Sequence, residues 1–219
     1  MSEPTPAQQV VPPGQIKAVL FDADGVLQYA RDGWFERLDA VAAVTGDAAE
    51  AFREDLWRAE MPALRGQESL RDGMTRLAEQ YGLGEHRVDE LVSLWDNIRP
   101  DEGAWQVVRD VRAAGLATYL ASNQHAYRRD IMMRIGYGDI VDWAFFSCDL
   151  RAAKPEPEYF ETVLARLQLP AHEVAFIDDL QVNVEAAARL GIVALWHERT
   201  AGAGDLRALL VSVGVRLQP

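Results

Sequence analysis

Three shortages narrow what this chain can be. Its 219 residues include one cysteine, Cys148, which excludes both a disulfide framework and a zinc site built from several cysteines. Lysine occurs only as Lys17 and Lys154, and the formal net charge is −12. Because this charge repels a phosphate backbone and no local run of Lys and Arg reverses its sign, we expect no nucleic-acid partner.

Long apolar runs are also missing. No segment approaches the roughly 18 consecutive apolar residues of a membrane helix, so we expect no membrane partner and a cytoplasmic protein. Residues 1–15 contain four prolines but neither a basic region nor an apolar stretch typical of a signal peptide. They predict a flexible leader. The oligomeric state stays open between a monomer and a homodimer.

What the chain does contain is an alternation of strand-like runs and amphipathic helices. Apolar runs lie at 18–21, 116–121, 143–147, 174–177 and 192–196, and helical patterns alternate with the last four. This alternation predicts a doubly wound, Rossmann-like α/β fold with a parallel sheet. Residues 31–98 break the pattern with several helices in succession. We therefore predict a helical cap at 31–98, inserted into an α/β core formed by 16–30 and 99–219.

Polar residues follow the predicted strands, at the edge of the sheet where α/β proteins bind ligands. In chain order they are Asp22, Asp24, Ser122, Asn123, Lys154, Asp178 and Asp179. Each could instead form a turn, cap a helix or face solvent, but those roles do not explain why all share one edge. Two carboxylates about 4 Å apart repel by about 4 kcal/mol at an effective dielectric of 20, so this group needs a cation or a shared proton. An all-oxygen ligand set favours Mg²⁺.

These residues belong to four ordered signals: FDADGVL, ASN, K-P, and FIDD followed by Asn183. In order and spacing, over residues 16–196, they resemble the haloacid dehalogenase-like hydrolases, in the phosphatase branch with a helical cap after the first motif. The resemblance implies a Mg²⁺-dependent phosphatase that hydrolyses a small phosphorylated metabolite through an aspartyl phosphate.

The resemblance also implies a catalytic role for each motif. Asp22 would be the nucleophile, and Asp24 would protonate the leaving group and then accept a proton from water. Ser122 and the backbone N–H of Asn123 would bind phosphoryl oxygens. Lys154 would neutralise charge on those oxygens and on Asp22.

The metal site is implied in the same way. Mg²⁺ would bind Asp22, the backbone carbonyl of Asp24, and Asp179, while Asp178 would act through a bound water. Asn183 would steady this group from one helical turn further on.

The cap carries a second, weaker signal. The stretch 64–70, which includes Arg65 and Gly66, resembles the segment with which sugar phosphomutases and several sugar phosphatases contact the rest of the substrate. We therefore expect Arg65 and Gly66 to bind substrate. His125, which follows the second motif, could reach a substrate hydroxyl, but we interpret it as a surface residue in the first turn of a helix.

Several functions within the family can be weighed against the residues. The dehalogenases of the family lack the second aspartate, so Asp24 argues against a dehalogenase. The phosphonate-cleaving members need a lysine in the cap, and residues 31–98 contain none, which argues against that reaction as well. A sugar phosphomutase remains an alternative, although Trp34 stands where mutases carry a histidine. A non-catalytic phosphate-ligand binding protein is the other alternative.

Overall fold

The structure, a computed structural model, describes residues 15–30 and 33–217. Within these ranges the strands are β1 (Ala18–Phe21), β2 (Gln28–Tyr29), β3 (Arg99–Pro100), β4 (Ala117–Ser122), β5 (Trp143–Phe146), β6 (Val174–Asp178) and β7 (Val193–Trp196). The α-helices are α1 (Trp34–Ala42), α2 (Asp47–Leu64), α3 (Leu70–Gln80), α4 (His86–Ser93), α5 (Glu102–Ala113), α6 (Ala126–Arg134), α7 (Tyr137–Ile140), α8 (Ser147–Leu150), α9 (Pro157–Leu167), α10 (Gln181–Arg189) and α11 (Gly202–Ser212). None of the helices in this part of the chain is long and apolar enough to cross a bilayer.

A parallel five-stranded sheet forms the centre of the molecule, with the strand order β5-β4-β1-β6-β7. Successive side chains of β1 point to opposite faces. Val19 and Phe21 pack in one apolar cluster, and Ala18 and Leu20 pack in another. Helices cover both faces, so the predicted doubly wound α/β fold is confirmed. The ladder pairs Phe21 with both Leu120 and Ile177, which brings the ends of β1, β4 and β6 to one level.

Helices α1 to α4 and the residues up to 98, the segment predicted as a cap and called the cap below, have a separate apolar core centred on Leu38, Phe52, Leu56 and Met74. A short antiparallel ribbon of β2 and β3 stands where the chain enters and leaves this helical unit. Strands of two residues are too short to produce a period-2 pattern, so the sequence did not predict the ribbon. The proposed division into leader, core and cap stays a prediction, and residues 1–14 and 31–32 lie outside the described residues.

Candidate active site

Most of the predicted site residues meet around one cavity at the carboxyl edge of the sheet. The cavity has a volume of about 190 Å³. It is lined by Asp22, Asp24, Ser122, Asn123, Lys154, Asp179, Leu180, Asn183 and Arg199. The fully buried Asp178 lies behind this surface and contacts Lys154. Arg199 was not predicted, because the loop after β7 carries no motif.

Lys154 is the buried cation of the site. Its ammonium group donates to Asp22 Oδ1 at 2.8 Å, to Asp178 Oδ2 at 2.6 Å and to the Ala121 carbonyl at 2.7 Å. These bonds use all three N–H donors of the ammonium. The Asn123 side chain exchanges two hydrogen bonds, each 2.8 Å, with the backbone of Lys154. Lys154 is therefore held in one position between two carboxylates.

Burial and the neighbouring charges shift the pKa values of the ionisable groups in the site. Burial raises the pKa of Asp22 to about 7, against the pull of the Lys154 ammonium, and the charge of Asp178 acts in the same direction as burial. Burial also raises the pKa of Asp179. Burial by itself would lower the pKa of Lys154, but Asp178 and Asp22 outweigh it and raise that pKa, so the lysine stays charged. The site holds more negative than positive charge.

Three carboxylates are arranged as a cation site would require. Oxygens of Asp22, Asp178 and Asp179 lie within 4.8 Å of one another. Asp178 is oriented by Asn183, whose Nδ2 donates to its two oxygens at 3.1 and 3.0 Å, which is the steadying role expected of Asn183. Carboxylate oxygens are the ligands that Mg²⁺ prefers, so the residues present fit this ion.

Gly25 allows Asp179 to approach the first motif. Its φ is +86°, in the region that favours glycine, and a Cβ at this position would lie 2.2 Å from Asp179 Oδ2. The turn after Asp24 and the carboxylate after β6 are therefore packed directly against each other.

Asp24 is surrounded by N–H donors that the sequence did not reveal. Gln28 Nε2 and an Arg128 Nη donate to its Oδ1 at 3.0 and 2.9 Å, and Gln124 Nε2 donates to Oδ2 at 2.7 Å. Gln124 and Arg128 follow the ASN motif, but no spacing rule links them to Asp24. Its carboxylate is consequently held from both sides.

The interpretation of His125 as a surface residue is wrong, because the cap covers the first turn of α6. His125 is fully buried, and its Nδ1 accepts the backbone N–H of Arg128 at 3.2 Å. Its Nε2 lies 3.6 Å from Oε1 of the cap residue Glu60, which also accepts a hydrogen bond from Trp95 at 2.8 Å. Burial lowers the pKa of His125 to about 3 and raises that of Glu60 to about 7. An uncharged pair is therefore favoured at this contact.

Arg65 and Gly66 lie where the cap meets the core. The Arg65 side chain forms an ion pair with Glu156, with Nε donating to Oε1 at 2.9 Å. A Cβ on Gly66 would lie 2.2 Å from the Cys148 carbonyl oxygen. Neither residue is among the described residues that line the cavity. Their expected contact with substrate stays a prediction.

Comparison with known proteins agrees with this geometry. A family model described as haloacid dehalogenase-like hydrolase matches residues 16–191. A sesquiterpene phosphatase from Aspergillus oryzae is 28% identical over 181 residues, covering 82% of this chain and 88% of the relative. A phosphorylated carbohydrates phosphatase from Thermotoga maritima is 26% identical over 189 residues, covering 81% and 82% of the two chains.

A crystal structure of similar fold is that of a HAD family enzyme from Bacteroides thetaiotaomicron, in complex with magnesium and inorganic phosphate. Its TM-score is 0.73 at 21% identity, with coverage of 87% of this chain and 98% of that one. The family model spans most of the sequence and includes all four motifs. The chain therefore belongs to the haloacid dehalogenase-like hydrolase family.

Proposed function

We propose that this hydrolase is a Mg²⁺-dependent phosphatase that acts on a small phosphorylated metabolite through an aspartyl phosphate. The observation that carries the proposal is the position of Asp22. Its carboxylate lines the cavity, accepts a hydrogen bond from the buried Lys154 at 2.8 Å, and lies beside Asp178 and Asp179. The two relatives named as phosphatases support it.

The first chemical step is attack by Asp22 on phosphorus. The bond from phosphorus to the leaving oxygen breaks, and Asp24 gives a proton to that oxygen. In the second step Asp24 takes a proton from water, which attacks the phosphorus of the aspartyl phosphate. Phosphate leaves and the Asp22 carboxylate is restored.

The other residues orient groups and offset charge. Lys154 stays charged and holds Oδ1 of Asp22, so that Asp22 is oriented before substrate arrives. Ser122 and the backbone N–H of Asn123 lie at the end of β4, on the lining of the cavity, where they bind phosphoryl oxygens. Positioning and charge neutralisation account for most catalysis of phosphoryl transfer.

The acidic residues of the site would bind the metal ion. Asp22, the Asp24 carbonyl and Asp179 would hold Mg²⁺, and Asp178 would act through a water. Three carboxylates converge here, those of Asp22, Asp178 and Asp179. Two cations face them, Lys154 and, 3.8 Å from Asp179, Arg199; they leave part of the negative charge unbalanced, which supports a bound cation. When bound, the ion neutralises negative charge on the phosphoryl oxygens.

The size of the cavity bears on the substrate class. A cavity of about 190 Å³ suits a small phosphate ester better than a phosphoprotein. The two relatives are named for phosphatase activity on different compounds, one a sesquiterpene and the other phosphorylated carbohydrates. We therefore propose a small metabolite without choosing among such compounds.

A substrate panel tests the proposal. Phosphate release is measured from sugar phosphates, phosphoglycolate, nucleoside monophosphates and p-nitrophenyl phosphate, each with Mg²⁺ and with a chelator. Release that requires Mg²⁺ is expected. Transfer of phosphate between hydroxyls of one sugar without release would identify a phosphomutase. Binding of a phosphate ester without turnover would identify a binding protein.

A further inference from the structure

The hydrogen bonds of Asp24 leave one position for a proton. An ionised carboxylate offers about four acceptor positions, two on each oxygen. Oδ1 accepts from Gln28 and Arg128, whereas Oδ2 accepts from Gln124 alone among the described residues. The remaining position is therefore on Oδ2.

The donors are themselves fixed by buried contacts. Gln28 is fully buried, and its Oε1 accepts the hydroxyl of Tyr137 at 2.9 Å, which fixes the direction of its amide N–H groups. Gln124 is 2% exposed, and the Nε2 that donates to Asp24 also donates to Ser122 Oγ at 3.4 Å. The carboxylate of Asp24 therefore faces amide donors that do not rotate freely.

Arg128 is the charged member of this set. Its side chain is 13% exposed, its backbone N–H is held by His125, and its guanidinium contacts Oδ1 of Asp24 at 2.9 Å. Its Nε finds no hydrogen-bond partner among the described residues. Contact with Asp24 is therefore the main polar interaction that the structure shows for this buried guanidinium.

We infer that Arg128 is a positioning residue for proton transfer: together with Gln28 and Gln124 it fixes the rotation of the Asp24 carboxylate so that Oδ2 faces the leaving group. The inference rests on the proposed function. The terminal torsion of an aspartate is broad when nothing restrains it, and general acid catalysis needs the proton within hydrogen-bond reach of its acceptor. As the bond from phosphorus to the leaving oxygen breaks, its electron pair stays on that oxygen, which takes the proton from Oδ2.

The basicity of the leaving group provides the test. Phenyl phosphate and p-nitrophenyl phosphate have leaving groups of similar size, but phenolate is the stronger base and depends more on protonation. We expect Arg128→Gln to lower kcat/KM by about tenfold more for phenyl phosphate than for p-nitrophenyl phosphate, which is a fraction of the roughly 10²–10⁴-fold that general acid catalysis contributes as a whole. Arg128→Lys keeps the charge and an N–H donor, so it should recover part of the loss.

Arg129→Gln is the matched control. Arg129 is the next residue on α6 but pairs with Asp130 and Asp149 rather than with Asp24. Both esters should be hydrolysed by this variant as by the wild type. The unfolding midpoint of every variant is measured to show that it is folded.

Different results would overturn the role of Arg128, the role of Asp24 and the proposed function. Equal fold losses of Arg128→Gln on both esters, or no loss on either, would overturn the positioning role in an enzyme that is otherwise active. An Asp24→Asn variant that lost both activities equally would overturn the acid role of Asp24 and this inference with it. No phosphate release by the wild type from these two esters or from any other member of the substrate panel would contradict the proposed function itself.

Discussion

Asp179 offers a way to separate metal binding from nucleophilic attack. Its side chain is 6% exposed, it lines the cavity, and it lies close to Asp22 and Asp178. A ligand that binds only the folded state raises its stability with concentration, so Mg²⁺ should raise the unfolding midpoint of the wild type. Asp179→Asn should weaken the apparent Mg²⁺ affinity by at least about tenfold, a size seen even for outer-shell changes.

The measurement is a Mg²⁺ titration of the unfolding midpoint. Asp89→Asn makes the same change at a carboxylate on the cap surface that pairs with Arg71, and it should respond as the wild type does. If the Asp179 variant gave the wild-type titration curve, Asp179 would not be a metal ligand.

Glu60 makes the stability of the protein depend on pH in a defined direction. Burial raises its pKa to about 7 from an ordinary value of 4.5. The folded state therefore binds the proton more tightly than the unfolded state does. The stability from this group is fully present below about pH 4.5 and is lost as the pH rises through about 7, up to a limit of about 3 kcal/mol.

Glu60→Gln isolates this effect. Glutamine stays neutral and keeps an acceptor for the Trp95 N–H, while Asp22 and Asp179, whose pKa values are also raised, are common to both proteins. Between pH 5 and pH 8, the unfolding midpoint of the wild type should fall relative to that of the variant. Parallel curves for the two proteins would show that Glu60 does not titrate in this range.

The turn after β1 makes a prediction about backbone geometry. Gly25→Ala introduces a Cβ at positive φ and places it 2.2 Å from Asp179 Oδ2. Gly115→Ala has nearly the same φ, +85°, but nothing within 4 Å of the added atom. Both variants should lose about 1 kcal/mol of stability from the strained backbone. Only Gly25→Ala should also lose phosphatase activity. We expect a loss of at least about tenfold, because small displacements of catalytic groups slow a reaction strongly.

Phosphate release and unfolding are measured for both glycine variants. An active Gly25→Ala variant with no greater loss of stability than Gly115→Ala would show that the contact with Asp179 is easily relieved. The two glycines have nearly the same φ, but only Gly25 is crowded by a neighbouring side chain. Comparing the two variants therefore separates the effect of φ from the effect of crowding.

The five strands of the parallel sheet could be predicted because each contains a short run of apolar residues between helical patterns, and the observed bounds differ from the predicted ones by one residue at most. The motif residues could be predicted because strand ends of a parallel sheet meet at one edge. The hydrogen-bond donors around Asp24 could not be predicted in this way. Gln124 and Arg128 lie 100 and 104 residues from Asp24 in sequence, so no local pattern connects them.

The error at His125 has a related cause. A helical pattern shows which face of α6 is apolar, but it does not show that another unit covers its first turn. That is why His125 was expected at the surface and is fully buried. Arg65 and Gly66 likewise lie at a contact between cap and core that depends on how the two units dock.

In the molecule as a whole, the first motif connects the central sheet to helices α1 to α4. Only three residues separate Asp24 from β2, which pairs with β3 where the chain returns from the cap. The cap also contacts the core through Arg65 with Glu156 and through Asp96, which accepts a hydrogen bond from Tyr127 at 2.6 Å. In the proposed phosphatase we expect this cap to exclude water during phosphoryl transfer and to open for release of product.

To test whether Asp22 attacks phosphorus, phosphate release by Asp22→Asn is measured in Mg²⁺ on the best substrate of the panel and compared with release by the wild type and Asp89→Asn. Because an amide is a poor nucleophile, we expect a loss of at least about 10³-fold for Asp22→Asn and wild-type rates for Asp89→Asn. Wild-type turnover by a folded Asp22→Asn variant would contradict attack by Asp22 and, with it, the aspartyl-phosphate mechanism.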